Sequence, residues 1–263
     1  MSKIIAACNQ KGGVGKTTTC VNTSASLSAM EKKVLVVDMD PQGNATQGLG
    51  FFNEFEEDIH DALLLEEHEL NKNKIKSLIR TTALPYLHAF PCSKSLYGLE
   101  AQLAGVNQKE FRLKKLLEVV REDYDFVLID SPPSLSTLTL NVLTAADSVI
   151  IPIQCEYYAL QGLAELLNTI RLVQQRLNPN LTIEGALLTM FDGRLNLSKQ
   201  VAEEVGATFS EKVFKTVIPR SVKLSEAPSF GKPILLYDAM SVGAVKYMEL
   251  ASEIINHVQE GSR

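Results

Sequence analysis

The fold this sequence predicts is a doubly wound α/β domain, with a mostly parallel sheet and helices on both faces. Three observations carry the prediction. Short unbroken apolar runs recur at residues 4–8, 34–38, 126–130, 149–153, 183–190 and 213–218. Segments with helical spacing lie between them, and a glycine-rich turn joins the first run to the first such segment. Apolar runs without alternation suit strands buried on both faces, and strands that alternate with helices build a parallel sheet.

In chain order, Ile4-Ile5-Ala6-Ala7-Cys8 is the first strand and residues 17–30 the first helix. Val34-Leu35-Val36-Val37 ends in Asp38, after Met39 and Asp40 comes the tight turn Pro41-Gln42-Gly43-Asn44, and helical spacing resumes at 111–121. Phe126-Val127-Leu128-Ile129 ends in Asp130 and precedes a helix at 138–146. The runs 149–153 and 183–190 enclose a helix at 159–177, and helices at 197–207 and 244–258 flank a last strand at 213–218. No repeat, low-complexity tract or Pro/Gly/Ser linker interrupts this order, so residues 1–263 read as a single domain with ample length for a large core. Ligands of such sheets bind at the carboxyl ends of the strands.

Composition removes several classes. The 263 residues are 45% hydrophobic and 22% charged, unlike disordered, collagen-like or disulfide-built chains. A net charge of −5 offers no bulk attraction for nucleic acid, so any such site has to be a local basic patch. Cys8, Cys20, Cys92 and Cys155 have no C-x-x-C spacing and read as small buried hydrophobes in a reducing cytoplasm, which also removes a cluster-bridging iron–sulfur protein. The first apolar run is too short for a signal peptide, and no run approaches the roughly 18 to 20 residues that span a bilayer. A cytoplasmic protein without membrane attachment is expected.

The most informative residues are Gln10-Lys11-Gly12-Gly13-Val14-Gly15-Lys16-Thr17-Thr18, between the first strand and the first helix. Glycines let successive backbone N–H groups turn inward around phosphate oxygens, and the helix N-terminus adds its positive dipole end. Lys16 neutralises β- and γ-phosphate charge, and the Thr17 hydroxyl can ligate Mg²⁺. The pattern is that of a nucleoside triphosphate site. Asp38 and Asp40 lie at the ligand-binding edge of the second strand, and Asp130 ends a Walker B-like strand, placed to hold Mg²⁺ directly or through water. No Asn-Lys-x-Asp guanine-reading string occurs, so adenine is the default base.

The loop departs from G-x-x-x-x-G-K-[ST]: Gln10 stands at the first glycine position and an extra lysine, Lys11, precedes Gly12-Gly13. In this it resembles the deviant Walker A motif of the P-loop NTPases in the ParA, MinD and nitrogenase iron-protein group. The resemblance implies that Lys11 reaches across a homodimer to the partner's nucleotide, that Asp40 positions or activates the attacking water, and that Asp38 lies near the metal's water shell. It also puts the base against Ile218-Pro219-Arg220-Ser221. The cofactors implied are ATP and Mg²⁺, bound by residues 11–18 with Pro219 and Arg220, and by Thr17, Asp38 and Asp130 for the metal.

Three longer strings, residues 154–162, 190–194 and 217–233, resemble the chromosomal ParA (Soj) proteins. For that family the resemblance implies an ATP-dependent dimer that holds non-specific DNA on the nucleoid and is released when a ParB-type partner stimulates hydrolysis. Phosphate neutralisation then needs a basic surface, for which Arg194, Lys199, Arg220, Lys223 and Lys246 are the candidates; each is equally readable as a solvated cation. Eight acidic residues without Lys or Arg from Glu54 to Glu69 suit either a basic partner peptide or a helix face in water. A MinD-like membrane ATPase is the alternative, but its C-terminal helix should carry Lys and Arg on the polar face, whereas residues 249–263 carry mainly acids. His60, His68, His88 and His257 form no arrangement near the motifs that a metabolic ligase or kinase would need.

Overall fold

The computed structural model describes residues 2–53, 55–134, 136–156 and 161–260. Glu54 of the acidic stretch, Tyr157, Tyr158, Ala159 and Leu160 of the string 154–162, and residues 261–263 lie outside the described residues. The chain runs β1 (Lys3–Ala7), α1 (Lys16–Ala29), β2 (Val34–Asp38), α2 (Asn44–Gly48), α3 (Ile59–Leu64), α4 (Lys72–Leu78), β3 (Arg80–Thr81), β4 (Leu87–Phe90), α5 (Leu99–Gln102), α6 (Arg112–Glu118) and β5 (Phe126–Asp130). It continues through α7 (Thr137–Ala145), β6 (Ser148–Gln154), α8 (Gln161–Arg176), β7 (Thr182–Thr189), α9 (Asn196–Phe209), α10 (Val222–Glu226), α11 (Ile234–Tyr237) and α12 (Val242–Glu260).

The strands form one sheet in the order β3-β4-β2-β5-β1-β6-β7. Every pairing is parallel except β3 with β4, so the expected doubly wound, mostly parallel architecture is present. Residues of β2 and β5 are buried throughout, as their β-branched and aliphatic runs require. One apolar cluster joins alternate residues of the sheet, such as Ile4, Leu35 and Val127, to α6 and α7. A second joins Ile5, Val34 and Leu128 to α1 and to Tyr247, Leu250 and Ile254 of α12. Alternate strand residues point to opposite faces, which is why a continuous apolar run feeds two cores.

The predicted strand at 213–218 is not a strand. The segment meets β7 only through isolated bridges, Ala186 with Val213 and Phe191 with Pro219. Phe214 N donates to Ala186 O at 3.0 Å and Ile218 N to Leu188 O at 2.9 Å, so four residues of segment advance against two of β7. The surplus turns away, and its N–H groups go elsewhere: Lys215 N and Thr216 N donate to the two oxygens of Glu253 at 2.7 and 3.0 Å. A ladder cannot form where its donors are already engaged. The sequence pattern also gives no sign of β4, whose four residues Leu87-His88-Ala89-Phe90 are short and interrupted by a histidine.

Candidate functional site

β1, β2, β5 and β6 end together at the carboxyl edge of the sheet, with Ala7 beside Asp130 and Asp38 in register with Asp130. The loop that leaves β1 is pinned at its start by Asn9, whose Nδ2 donates to Pro152 O at 2.7 Å and whose Oδ1 accepts from Lys11 N at 3.0 Å. At its far side Thr189 Oγ1 donates to Val14 O at 2.8 Å, tying the loop to the end of β7. Gly13 (φ 74°) and Gly15 (φ 91°) hold left-handed conformations that turn the chain into α1, and these require glycine. A Cβ built on Gly12 or Gly13 would meet nothing within 4 Å, so their backbone faces open space.

Lys16 is 7% exposed and reaches back across the loop, with Nζ donating to Lys11 O at 3.2 Å. Burial pulls its pKa down, and the neighbouring Asp130 opposes that. Thr17 Oγ1 donates to Asp130 Oδ2 at 2.7 Å, while Asp130 Oδ1 is buried without a hydrogen-bond partner. Burial, with Asp38 close by, pushes Asp130 well above the carboxylate range despite the Thr17 bond. Burial likewise raises Asp38 to about 6, against the Thr46 hydroxyl and amide that bond its Oδ2 at 2.7 and 2.8 Å. An unpartnered carboxylate oxygen beside a hydroxyl, next to a glycine-rich loop, is the hard-oxygen donor set that suits Mg²⁺ with phosphate.

Asp40 is 7% exposed and is held through its backbone: its N donates to Asp38 Oδ1 at 3.1 Å, and its carbonyl accepts from Cys92 Sγ at 3.0 Å. Lys11 Nζ lies 3.4 Å from Glu156 Oε2, and Arg220 NH2 lies 3.9 Å from Glu156 Oε1, so one carboxylate links the signature lysine to the predicted base segment. Sequence reasoning did not single out Glu156; its position just past the carboxyl end of β6 was the available signal.

Beyond Gly15 lies a cavity of about 270 Å³, lined by Thr18, Met190, Pro219, Arg220, Leu224 and Tyr247 among others. Pro219 and Arg220 thus face the same space as the start of α1. Thr189 and Tyr247 were not among the predicted site residues, because each stands alone in its own segment.

The candidate DNA contacts are differently placed. Arg194 bonds Asp192 through Nε and NH2 at 2.9 and 2.7 Å, holding the Asp192 carboxyl down at about 2. Lys223 faces Glu226 at 3.6 Å and Lys246 faces Glu249 at 2.6 Å, while Lys199 is exposed on α9. In the acidic stretch, Glu57 pairs with Lys74, Glu67 with Lys115, and Asp58 caps α3, so much of its charge is met within the chain.

Sheet order and loop together define the P-loop NTPase fold. Residues 2–183 match the family model described as AAA domain. The chain is 54% identical over 255 residues to the Bacillus subtilis (strain 168) sporulation initiation inhibitor protein Soj, covering 97% of this chain and 98% of that protein. It is 51% identical over 256 residues to the Myxococcus xanthus (strain DK1622) chromosome partitioning protein ParA, covering 97% and 88%. Among solved structures, a Mycobacterium smegmatis protein described as cobyrinic acid a,c-diamide synthase, with bound ADP and magnesium, aligns at a TM-score of 0.85 with 35% identity, over 99% of this chain and 97% of that one. The chain belongs to the Soj/ParA family of the ParA/MinD group.

Proposed function

We propose that this protein is an Mg²⁺-dependent ATPase of chromosome or plasmid partitioning, acting in the cytoplasm as a single domain that dimerises with ATP. The ATP dimer holds non-specific DNA on the nucleoid, and a ParB-type partner releases it by stimulating hydrolysis. The observation that carries the nucleotide reading is the buried, unpartnered Asp130 oxygen beside Thr17 at the mouth of the glycine loop. The partitioning role rests on the kinship with Soj and ParA.

In this reading the N–H groups of residues 12–18 bind the phosphates, Lys16 neutralises their charge, and Thr17 and Asp130, with Asp38 nearby, would hold Mg²⁺. Mg²⁺, when bound, would supply neutralisation of phosphate charge. Asp40 orients the water for in-line attack, and Lys11 stabilises the developing charge on the partner subunit's nucleotide. Thr18, Pro219 and Arg220 border the base. Arg194, Lys199, Arg220, Lys223 and Lys246 furnish the DNA surface.

Two rival readings find less support. A membrane-targeting role for α12 is disfavoured because its apolar residues Ala244, Tyr247, Leu250, Ala251 and Ile254 are already buried, and no helix among the described residues is long and apolar enough to cross a membrane. A metabolic amidating or phosphorylating enzyme would need its own acid or base, yet His60 bonds Gln102, His88 bonds Tyr124 and His257 faces Glu184. The deciding experiment is binding to non-specific duplex DNA with ATP, ADP or no nucleotide across a salt series. Salt-sensitive binding with ATP alone is expected; no binding in any state overturns the partitioning mechanism and leaves the nucleotide site standing.

A further inference from the structure

We infer that Glu253, on α12, is a positioning residue for the base side of the nucleotide site. The inference rests on the nucleotide reading proposed above and extends it to a residue outside every motif. Between its two attachments to β7, at Phe214 and Ile218, the segment that leads to the cavity has a surplus turn with no strand partner. Glu253 takes two donors of that turn, Lys215 N at 2.7 Å and Thr216 N at 3.0 Å. A carboxylate that accepts two backbone N–H groups makes charge-assisted bonds, stronger than the neutral ladder bonds it replaces.

Past Thr216 the chain becomes the wall of the cavity. Ile218 O accepts from Phe191 N at 3.1 Å and Arg220 N donates to Phe191 O at 3.3 Å, so Pro219 is fixed from both sides once the turn before it is fixed. The same helix reinforces this grip at two further levels. Tyr247 lines the cavity itself and is 1% exposed, with its hydroxyl 3.4 Å from Thr19 Oγ1. One turn beyond Glu253, the His257 ring stacks on Phe214 at a centroid distance of 5.7 Å and 18° between planes. Helix α12 therefore sets the height of the segment over the cavity, and Glu253 is its polar contact with the segment's backbone.

Glu253 bonds the base-side segment directly, whereas the loop at 10–17 is bonded by Asn9, Pro152 and Thr189. A ligand with a base should feel its loss, and a ligand with phosphates alone should not. The test is calorimetric titration of the full chain with Mg²⁺ and either ATP or inorganic tripolyphosphate. The wild type should bind ATP more tightly. Glu253→Gln, which sets an amide NH₂ against a backbone N–H, should weaken ATP by about three- to tenfold and leave tripolyphosphate unchanged. Glu253→Asp should recover part of the loss, and it carries the same comparison if the glutamine variant does not fold. Equal weakening of both ligands, or no change for ATP, would overturn the inference. A wild type that binds the two alike would instead remove the base reading of the cavity.

Discussion

The proposed phosphate side and the proposed base side of the site are built on opposite plans. On the phosphate side, residues 9–18 form one continuous stretch of loop and helix start, and two aspartates from neighbouring, in-register strands complete it. On the base side, Thr18, Met190, Pro219, Leu224 and Tyr247 come from separate segments and meet only because α12 and β7 hold those segments together. The first region depends on chemistry at fixed short spacing. The second depends on packing, so its failures should be graded and should spread through the fold.

The largest effect should fall on the phosphate side. Lys16→Ala should weaken ATP by about 100-fold or more, read by calorimetry, because a buried ammonium is lost from a charge-assisted contact. Asp40→Ala should keep ATP bound and lose hydrolysis, leaving the protein on DNA in a gel-shift assay with ATP. Equal loss of binding in both variants would erase the distinction between holding phosphate and directing water.

A base-side counterpart is Gly185→Ala. The new methyl would lie 2.6 Å from Phe214 Cε2, and the ring cannot yield because it is wedged between β7 and His257. Thermal unfolding should report a loss of about 1–3 kcal/mol, typical of overpacking, and ATP should weaken while tripolyphosphate does not. An unchanged melting temperature would break the claim that packing governs this side.

Smaller still is the effect of the basic candidates. Arg220→Ala should weaken non-specific DNA and reduce the salt slope by about 1, whereas Arg194→Ala should do less, because its guanidinium is already forked onto Asp192. The reverse order would mean that the ion pair with Asp192 opens freely on DNA.

The smallest effect lies outside both regions. Burial of His88 against Tyr124, with Lys76 adding to it, lowers its pKa below 6.5. The unfolded chain then binds the proton more readily than the folded one, so this contribution to stability is present above the unfolded value and is lost as pH falls through the folded one. His88→Gln should flatten the acid limb of a melting-temperature profile and leave ATP affinity alone.

Legibility in the sequence divides along the same line. The loop, Asp38, Asp40 and Asp130 were readable because each sits at a strand's carboxyl end and the folded distances are set by local geometry. Glu253 was not, because its partners are 38 and 37 residues away and its role exists only where the segment departs from β7. The false strand at 213–218 has the same origin: apolar composition records burial, and Val213, Phe214 and Ile218 are packed inward, but it does not record where the N–H groups go. β4 was missed for the converse reason, since pairing with β2 over four residues tolerates a half-buried His88.

The state of the two sheet edges has a consequence for self-association. β3 offers only Arg80 and Thr81, antiparallel to β4, with the arginine lying 5.8 Å over Phe55. At the other end, the segment from Val213 to Pro219 runs along β7 and occupies its outer groups at Ala186 and Leu188. Strand addition, the commonest accidental route by which open sheets aggregate, finds only a two-residue strand at one edge and a partly occupied one at the other among the described residues. Contact between copies is thereby shifted toward loops and side chains, where it can be made conditional on what those loops hold.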